Sequence, residues 1–148
     1  MLCWPCDIIV AADDASFQDM TVAMGVCGVE FFAHQVEMGA RAAKEMLFTG
    51  DAVSAADARR LGFVSRVVPR EDLDGVCMEM ARKIAGQPLF ALQMAKEAVN
   101  QAQDAAGRKA GMDAAFSLHQ LCHAYNLQRH GIIIDPSGMT PRGRKSKL

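Results

Sequence analysis

Aromatic side chains are scarce, with seven Phe, one Trp and one Tyr making 6% of the 148 residues. An interior with so few rings has to be filled by Ala, Val, Leu, Ile and ten Met, in a chain that is 51% hydrophobic. Neither sign of charge dominates: sixteen Lys and Arg stand against seventeen Asp and Glu, a formal charge of -1. That balance excludes a general nucleic-acid-binding surface as the leading function. No apolar run reaches the roughly 18 residues that a membrane-spanning helix needs. Residues 1–12 are apolar but carry Pro5 and Asp7, without a basic start or a cleavage site, so no export leader is expected. Five cysteines, an odd number, then read as reduced thiols in a cytoplasmic protein. With 22% charged residues the composition is that of a folded chain, and its length fits one domain or a large piece of one.

What is present comes in short apolar segments punctuated by glycine and polar turns. Asp7-Ile-Ile-Val-Ala-Ala12 is rich in β-branched residues and predicts a buried strand. Met1-Leu-Cys-Trp-Pro-Cys6 before it is apolar with no start signal, so the chain reads as opening inside a larger architecture. Asp13 and Asp14 make a turn, residues 15–18 a second short strand, and Met24-Gly-Val-Cys-Gly-Val-Glu30 a glycine-punctuated loop. Phe32, Val36, Ala40, Ala43 and Leu47 recur on one face and predict a helix over residues 31–48, closed at Thr49-Gly50. Ser54-Ala-Ala-Asp57 resembles a capping box with Asp in place of Glu, opening a short helix that runs to Leu61 and stops at Gly62. Phe63-Val-Ser-Arg-Val-Val68 alternates as a strand, ended by Pro69. Glu71 and Asp72 place negative charge at the start of a helix that reaches about Ala85. Gly86 and Pro88 separate it from a helix over residues 89–102, and Gly107 and Gly111 delay a last long helix to residues 112–129. After Gly131, the residues Pro136, Gly138, Pro141 and Gly143 predict an irregular tail. No internal repeat or low-complexity stretch is present. Two or three strands do not make a self-sufficient sheet, so the chain is expected to oligomerise or to lack partner strands.

Leu47-Phe-Thr-Gly50, Ser54-Ala-Ala-Asp-Ala58 and Leu61-Gly-Phe-Val-Ser-Arg-Val-Val-Pro69, in this order and at these spacings, resemble the crotonase, or enoyl-CoA hydratase/isomerase, superfamily. Cys6-Asp-Ile-Ile-Val-Ala11 and Ala15-Ser-Phe17 resemble the strands just after that family's central helix, and Lys96-Glu-Ala-Val-Asn100 resembles its first C-terminal helix. The likeness is to the family's C-terminal half. It implies an α-rich α/β fold: part of a crotonase-like spiral of strand–strand–helix turns over residues 1–70, a helical oligomerisation region over 71–131, and an irregular basic tail over 132–148. It further implies trimers or pairs of trimers, and a site for an acyl-CoA thioester with no other cofactor and no metal. In that family two backbone N–H groups stabilise the enolate oxygen, whose charge water would otherwise solvate. Carboxylates then move protons to or from carbon, or activate water.

The same resemblance puts the two catalytic Glu of hydratases at Met1 and Thr21. Met cannot transfer a proton, and a Thr hydroxyl is a poor acid or base at neutral pH. The glycine turn that gives one enolate donor would precede Met1, and the segment giving the other has no counterpart. Three residues are left as catalytic candidates. Glu30 stands where the glycine loop meets a helix start, Asp19 lies two residues before Thr21, and Thr21 holds a matching position. The plainer readings are a helix-start charge for Glu30 and a turn residue for Asp19. Met1, Gly28, Lys96 and Phe116 are candidate substrate contacts. Gly28 lies in a loop that lines the acyl pocket of relatives, although a loop glycine is needed for backbone freedom in any case. Lys96 and Phe116 lie in helices that in relatives approach the adenine end of CoA, against the default of a solvated Lys and a buried Phe.

Three further constellations carry less. Cys3-Trp-Pro-Cys6 has redox spacing, but the resemblance places it at a buried helix end. His119 and His123 are one helical turn apart, a metal-binding spacing without a predictable third ligand; a His pair on an interface helix is the plainer reading. Arg142, Arg144, Lys145 and Lys147 make a solvated or anion-binding tail. The leading function is an enoyl-CoA hydratase or isomerase of fatty acid metabolism, weak or inactive as this chain alone. The alternative is a non-catalytic crotonase fragment that acts as an oligomerising module. A helical module unrelated to CoA is disfavoured by the loop–helix–Gly–strand order.

Overall fold

The computed structural model describes residues 3–139; Met1 and the basic residues Arg142, Arg144, Lys145 and Lys147 lie outside them. Its strands are short, and among the described residues each has one neighbour. β1 (Val10–Ala12) pairs in parallel with β4 (Arg66–Val68), Ala11 opposite Val67. β2 (Ser16–Phe17) pairs antiparallel with β3 (Val53–Ser54), Phe17 opposite Val53. The expected strand over residues 63–68 keeps only its last three residues. Phe63 and Val64 turn into the core instead, and Ser65 N–H donates to Ile9 O at the edge of β1. β3 is absent from the sequence reading because two residues are too few to show alternation; pairing with β2 makes it a strand.

The helices follow their punctuation, with two exceptions. The helix expected over residues 31–48 is two, α1 (His34–Met38) and α2 (Ala40–Thr49). Gly39 between them has φ 80 and ψ 155, a turn that an L side chain resists, and it interrupts an otherwise helical pattern. α2 stops at Gly50 as expected. α3 (Ala55–Leu61) opens on Ser54, whose Oγ accepts from Asp57 N–H at 3.1 Å and donates to the Asp57 carboxylate at 2.7 Å. Glu71 and Asp72 lie in a 3-10 turn (Arg70–Asp72) leading into α4 (Leu73–Ala85), followed by α5 (Leu89–Ala105). α6 (Arg108–His130) begins four residues earlier than expected, because Gly107 makes the turn and Gly111 stays helical, its N–H on Gly107 O. The tail holds a further 3-10 turn (Pro136–Met139).

Small residues let α1–α3 close on β1 and β4. Ala33, Ala55 and Ala58 are buried with Met38, Met46, Phe63 and Val64, and Trp4 packs on Phe63 at 5.4 Å between ring centres. Each buried Leu- or Phe-sized side chain contributes about 1.5–3 kcal/mol, so an Ala-rich core of this kind is thin. The helical half adds little to it. Neither α4 nor α5 contains a buried residue, and α6 buries only His119 and Asn126. Leu89 and Phe90 of α5 are 70% and 73% exposed. The architecture is α-rich α/β, as the sequence predicts. Among the described residues no helix is long and apolar enough to cross a membrane.

Candidate functional site

Asp19 lies just past β2 and is buried. Its Oδ1 accepts from Thr21 N–H at 2.8 Å and Thr21 Oγ1–H at 2.5 Å, and its Oδ2 accepts from His34 Nε2–H at 2.9 Å. The two bonds to Thr21 are a local turn closed by a carboxylate, so the turn reading of Asp19 holds. The third bond reaches fifteen residues along the chain to the first residue of α1. His34 is fully buried between Trp4, at 5.1 Å, and Phe32, at 4.8 Å between ring centres. Burial opposes ionisation of Asp19, but the hydrogen bonds from His34 and Thr21 outweigh it and hold the carboxyl at about 2, below its ordinary 3.8. A carboxylate held so low, with three donors on it, is a weak proton acceptor at neutral pH. His34 Nδ1 is buried and has no hydrogen-bond partner among the described residues. With Nε2–H given to Asp19, a neutral His34 ring carries its lone pair on Nδ1.

This cluster lies on a cavity of about 530 Å³ whose wall includes Trp4, Phe17, Asp19, Thr21, Val29 and His34. An apolar wall with a few convergent polar groups is the usual make-up of a small-molecule site. A second cleft of about 520 Å³ lies between the N-terminal turn and α5, lined among others by Trp4, Ile8, Glu37, Leu92, Lys96 and Arg108. Burial pushes the Glu37 carboxyl up there, against the pull of Arg108.

The loop between β2 and α1 is fastened to α6. Gly25 O accepts from Asn126 Nδ2 at 3.0 Å, and Cys27 Sγ donates to Ala115 O at 3.8 Å. Gly28 O lies 2.7 Å from His119 Nδ1. Gly28 has φ 141, and a Cβ added there would meet the Phe32 ring at 2.6 Å, so only glycine fits under that ring. His119 Nε2 in turn is 2.9 Å from His123 Nε2, and His123 Nδ1 is 2.7 Å from Ile133 O.

Residues 1–134 match the sequence model described as enoyl-CoA hydratase/isomerase. The chain belongs to this family. EchA13 of Mycobacterium tuberculosis is 47% identical over 126 residues, which are 84% of this chain and 40% of EchA13. The short-chain-enoyl-CoA hydratase of Clostridioides difficile is 31% identical over 136 residues, 89% of this chain and 86% of that protein. The crystal structure of a probable enoyl-CoA hydratase from Mycobacterium smegmatis superposes with a TM-score of 0.88 at 48% identity, over 90% of this chain and 54% of that one. The chain thus spans about half the length of that solved relative, and less of EchA13.

Within this enoyl-CoA hydratase/isomerase chain the structure brings together only some of the residues singled out from the sequence. Asp19 and Thr21 share the cavity wall; Glu30 and Gly28 do not line it, although Val29 between them does. Glu30 is not at a helix start. Phe31, Phe32 and Ala33 continue as loop and α1 begins at His34, so the exposed Glu30 carboxylate turns to α6, its Oε1 3.8 Å from His119 Nε2. Lys96 lines the second cleft, with its Nζ 2.6 Å from Asp7 Oδ2 in an exposed ion pair. Phe116 is half exposed on α6 rather than buried. Met1 lies outside the described residues. Cys3 and Cys6 form no disulfide and stand in a tight turn, Cys6 N–H on Cys3 O at 3.0 Å with Cys6 exposed, not at a buried helix end. Among the described residues no group of three or more His, Cys, Asp or Glu could hold a metal ion. His34 is the residue that sequence reading missed. Its one signal is a polar ring in the apolar run Phe31-Phe-Ala-His34, and spacing alone gives no hint of its bond to Asp19.

Proposed function

We propose that this chain forms the acyl-group side of a site for an acyl-CoA thioester, for hydration or isomerisation of an enoyl-CoA. The observation that carries this reading is the buried Asp19–His34 pair on the wall of the apolar cavity. Trp4, Phe17 and Val29 offer apolar surface to an acyl chain. Asp19 stays ionised and fixes Nε2–H of His34, which leaves Nδ1 as the unpaired ring nitrogen; that atom is closed off from solvent, so it takes the proton leaving carbon or water only once the cavity wall opens around the bound acyl group. In this assignment His34 replaces Asp19, Thr21 and Glu30 as the proton acceptor, and Asp19 orients it. The positions matching the hydratase Glu pair are Met1 and Thr21, neither able to shuttle a proton, so turnover by this chain alone is slow. The five cysteines, none in a disulfide, fit a reducing, cytoplasmic setting.

Thermal unfolding with crotonyl-CoA, butyryl-CoA and free CoA tests the reading. Saturating ligand at a hundred times Kd stabilises by about 2.7 kcal/mol, so both esters should raise the midpoint more than CoA does. His34→Gln should leave that rise in place and abolish the slow hydration of crotonyl-CoA. No rise with either ester, or an equal rise with ATP, would overturn the proposal.

A second reading rests on the bare apolar side chains of α5 and α6, among them Leu89, Phe90, Val99, Leu118 and Leu121. Surfaces of that kind mark contacts with other chains. Residues 71–131 then serve as an oligomerising module, as a homotrimer or hexamer or on a longer relative. Sedimentation at micromolar concentration discriminates: a stable monomer counts against this reading, an assembly that binds no acyl-CoA favours it over the first.

A further inference from the structure

The His119–His123 pair poses a problem of proton count. A carbonyl oxygen only accepts, so the 2.7 Å contact to Gly28 O puts a proton on His119 Nδ1, and the 2.7 Å contact to Ile133 O puts one on His123 Nδ1. Two neutral rings would then have bare Nε2 atoms, and these face each other at 2.9 Å. Two lone pairs at that distance repel, whereas one proton between them makes an N–H···N bond. The rings are edge to face at 4.5 Å, and His119 is 5% exposed, so water does not readily separate them.

We propose that His119 and His123 share a single extra proton and act as a pH-dependent clasp holding the glycine loop and the segment after α6 onto that helix. The pair carries one positive charge, and the Glu30 carboxylate, 3.8 Å from His119 Nε2, is its counter-charge from the loop. The other titratable groups around it are accounted for. On the loop, burial and the neighbouring Cys122 push the Cys27 thiol up, so it stays neutral, and Cys122 itself lies one residue from His123 on α6. Beyond α6, Asp135 stands 3.6 Å from His130 Nε2, and its carboxyl is held down by Ser137. Arg129 adds positive charge in the last turn of α6. Glu30 is therefore the negative group placed on the pair.

The clasp reaches the cavity through the loop. His119 holds Gly28, Gly28 packs under Phe32, Phe32 packs tilted against His34, and Val29 lines the cavity. When the shared proton leaves, the two Nε2 lone pairs push apart and the loop loses its anchor. The sign follows from the proton count: the clasp is closed while the pair holds one shared proton, and it opens when that proton leaves at higher pH or when a second proton at lower pH puts an N–H on both Nε2 atoms.

The test is nitrogen-15 NMR of the histidines over pH 5–9 in the full chain, with hydrogen exchange of the amides of residues 25–30. Both Nδ1 should be protonated throughout, and loss of the shared proton should change the Nε2 signals of both rings at the same pH. Exchange of the loop amides should rise about tenfold above that step, the equivalent of about 1.4 kcal/mol. Glu30→Gln should move the step to lower pH, and His123→Gln should abolish it while His119 keeps its bond to Gly28. Independent titration of the two rings would overturn the proposal, as would a bare Nδ1 on either one. So would stoichiometric cobalt(II) uptake that His123→Gln removes, since the pair would then be a metal site.

Discussion

Replacing Asp19 by Ala removes the acceptor of three donors, one fully buried and two half-buried. The orphaned groups are Thr21 N–H, the Thr21 hydroxyl and His34 Nε2–H. Removing one partner of a buried pair costs about 3–5 kcal/mol, and the Thr21 hydroxyl can turn to another acceptor, so a loss of about 3 kcal/mol at pH 7 is expected. The loss has a pH signature. The folded-state carboxyl is held at about 2 against an ordinary 3.8, and that interval corresponds to about 2 kcal/mol. Because the value is lowered in the folded state, this stability is fully present above pH 3.8 and disappears as pH falls toward 2. Urea unfolding followed through Trp4, the one tryptophan, reads it directly, since that ring packs on both His34 and Phe63. The gap between the natural chain and Asp19→Ala should be widest from pH 5 to 7 and should shrink by about 2 kcal/mol on acidification to pH 2. A gap under about 1 kcal/mol at pH 7, or one that does not change between pH 5 and 2, would refute the reasoning.

Gly28→Ala should destabilise by about 1–3 kcal/mol, because the new methyl meets the Phe32 ring in a backbone conformation that L residues avoid; urea unfolding measures it. Ser54→Ala should cost about 1 kcal/mol, since it removes the cap on the Asp57 N–H at the start of α3. Lys96→Ala should change stability by less than about 0.5 kcal/mol, because its ion pair with Asp7 is open to solvent; if the second cleft bound the CoA nucleotide, this variant would instead weaken acyl-CoA binding in calorimetry. Phe90→Glu should leave the unfolding midpoint unchanged and shift sedimentation toward smaller species, given the exposure of that ring on α5.

Elements whose signals are local can be read from the sequence, and the site largely cannot. Gly50, Gly62 and the Ser54–Asp57 cap stop and start helices through bonds that span three or four residues, so residue types at fixed offsets announce them. Gly39 is the counterexample. A glycine inside a helical pattern is tolerated at a cost of about 1 kcal/mol, so the residue type alone does not announce the turn that separates α1 from α2 on the core. The same division runs through the site. The Asp19–Thr21 turn is a two-residue affair that Asp chemistry predicts, whereas the bond to His34 depends on the path of the intervening loop. That path is set in turn by contacts such as Gly28 with His119, 91 positions apart. A histidine among phenylalanines therefore looks like core from its neighbours in sequence, and in packing it is core. What makes it chemically different is a buried ring nitrogen, on a residue of the cavity wall, with no hydrogen-bond partner among the described residues, a property of the finished hydrogen-bond network. Residue identity limits which groups can carry a proton. Long-range pairing decides which of them is left free to do so, and on that ground His34 joins Asp19, Thr21 and Glu30 among the candidates, as the proposed acceptor.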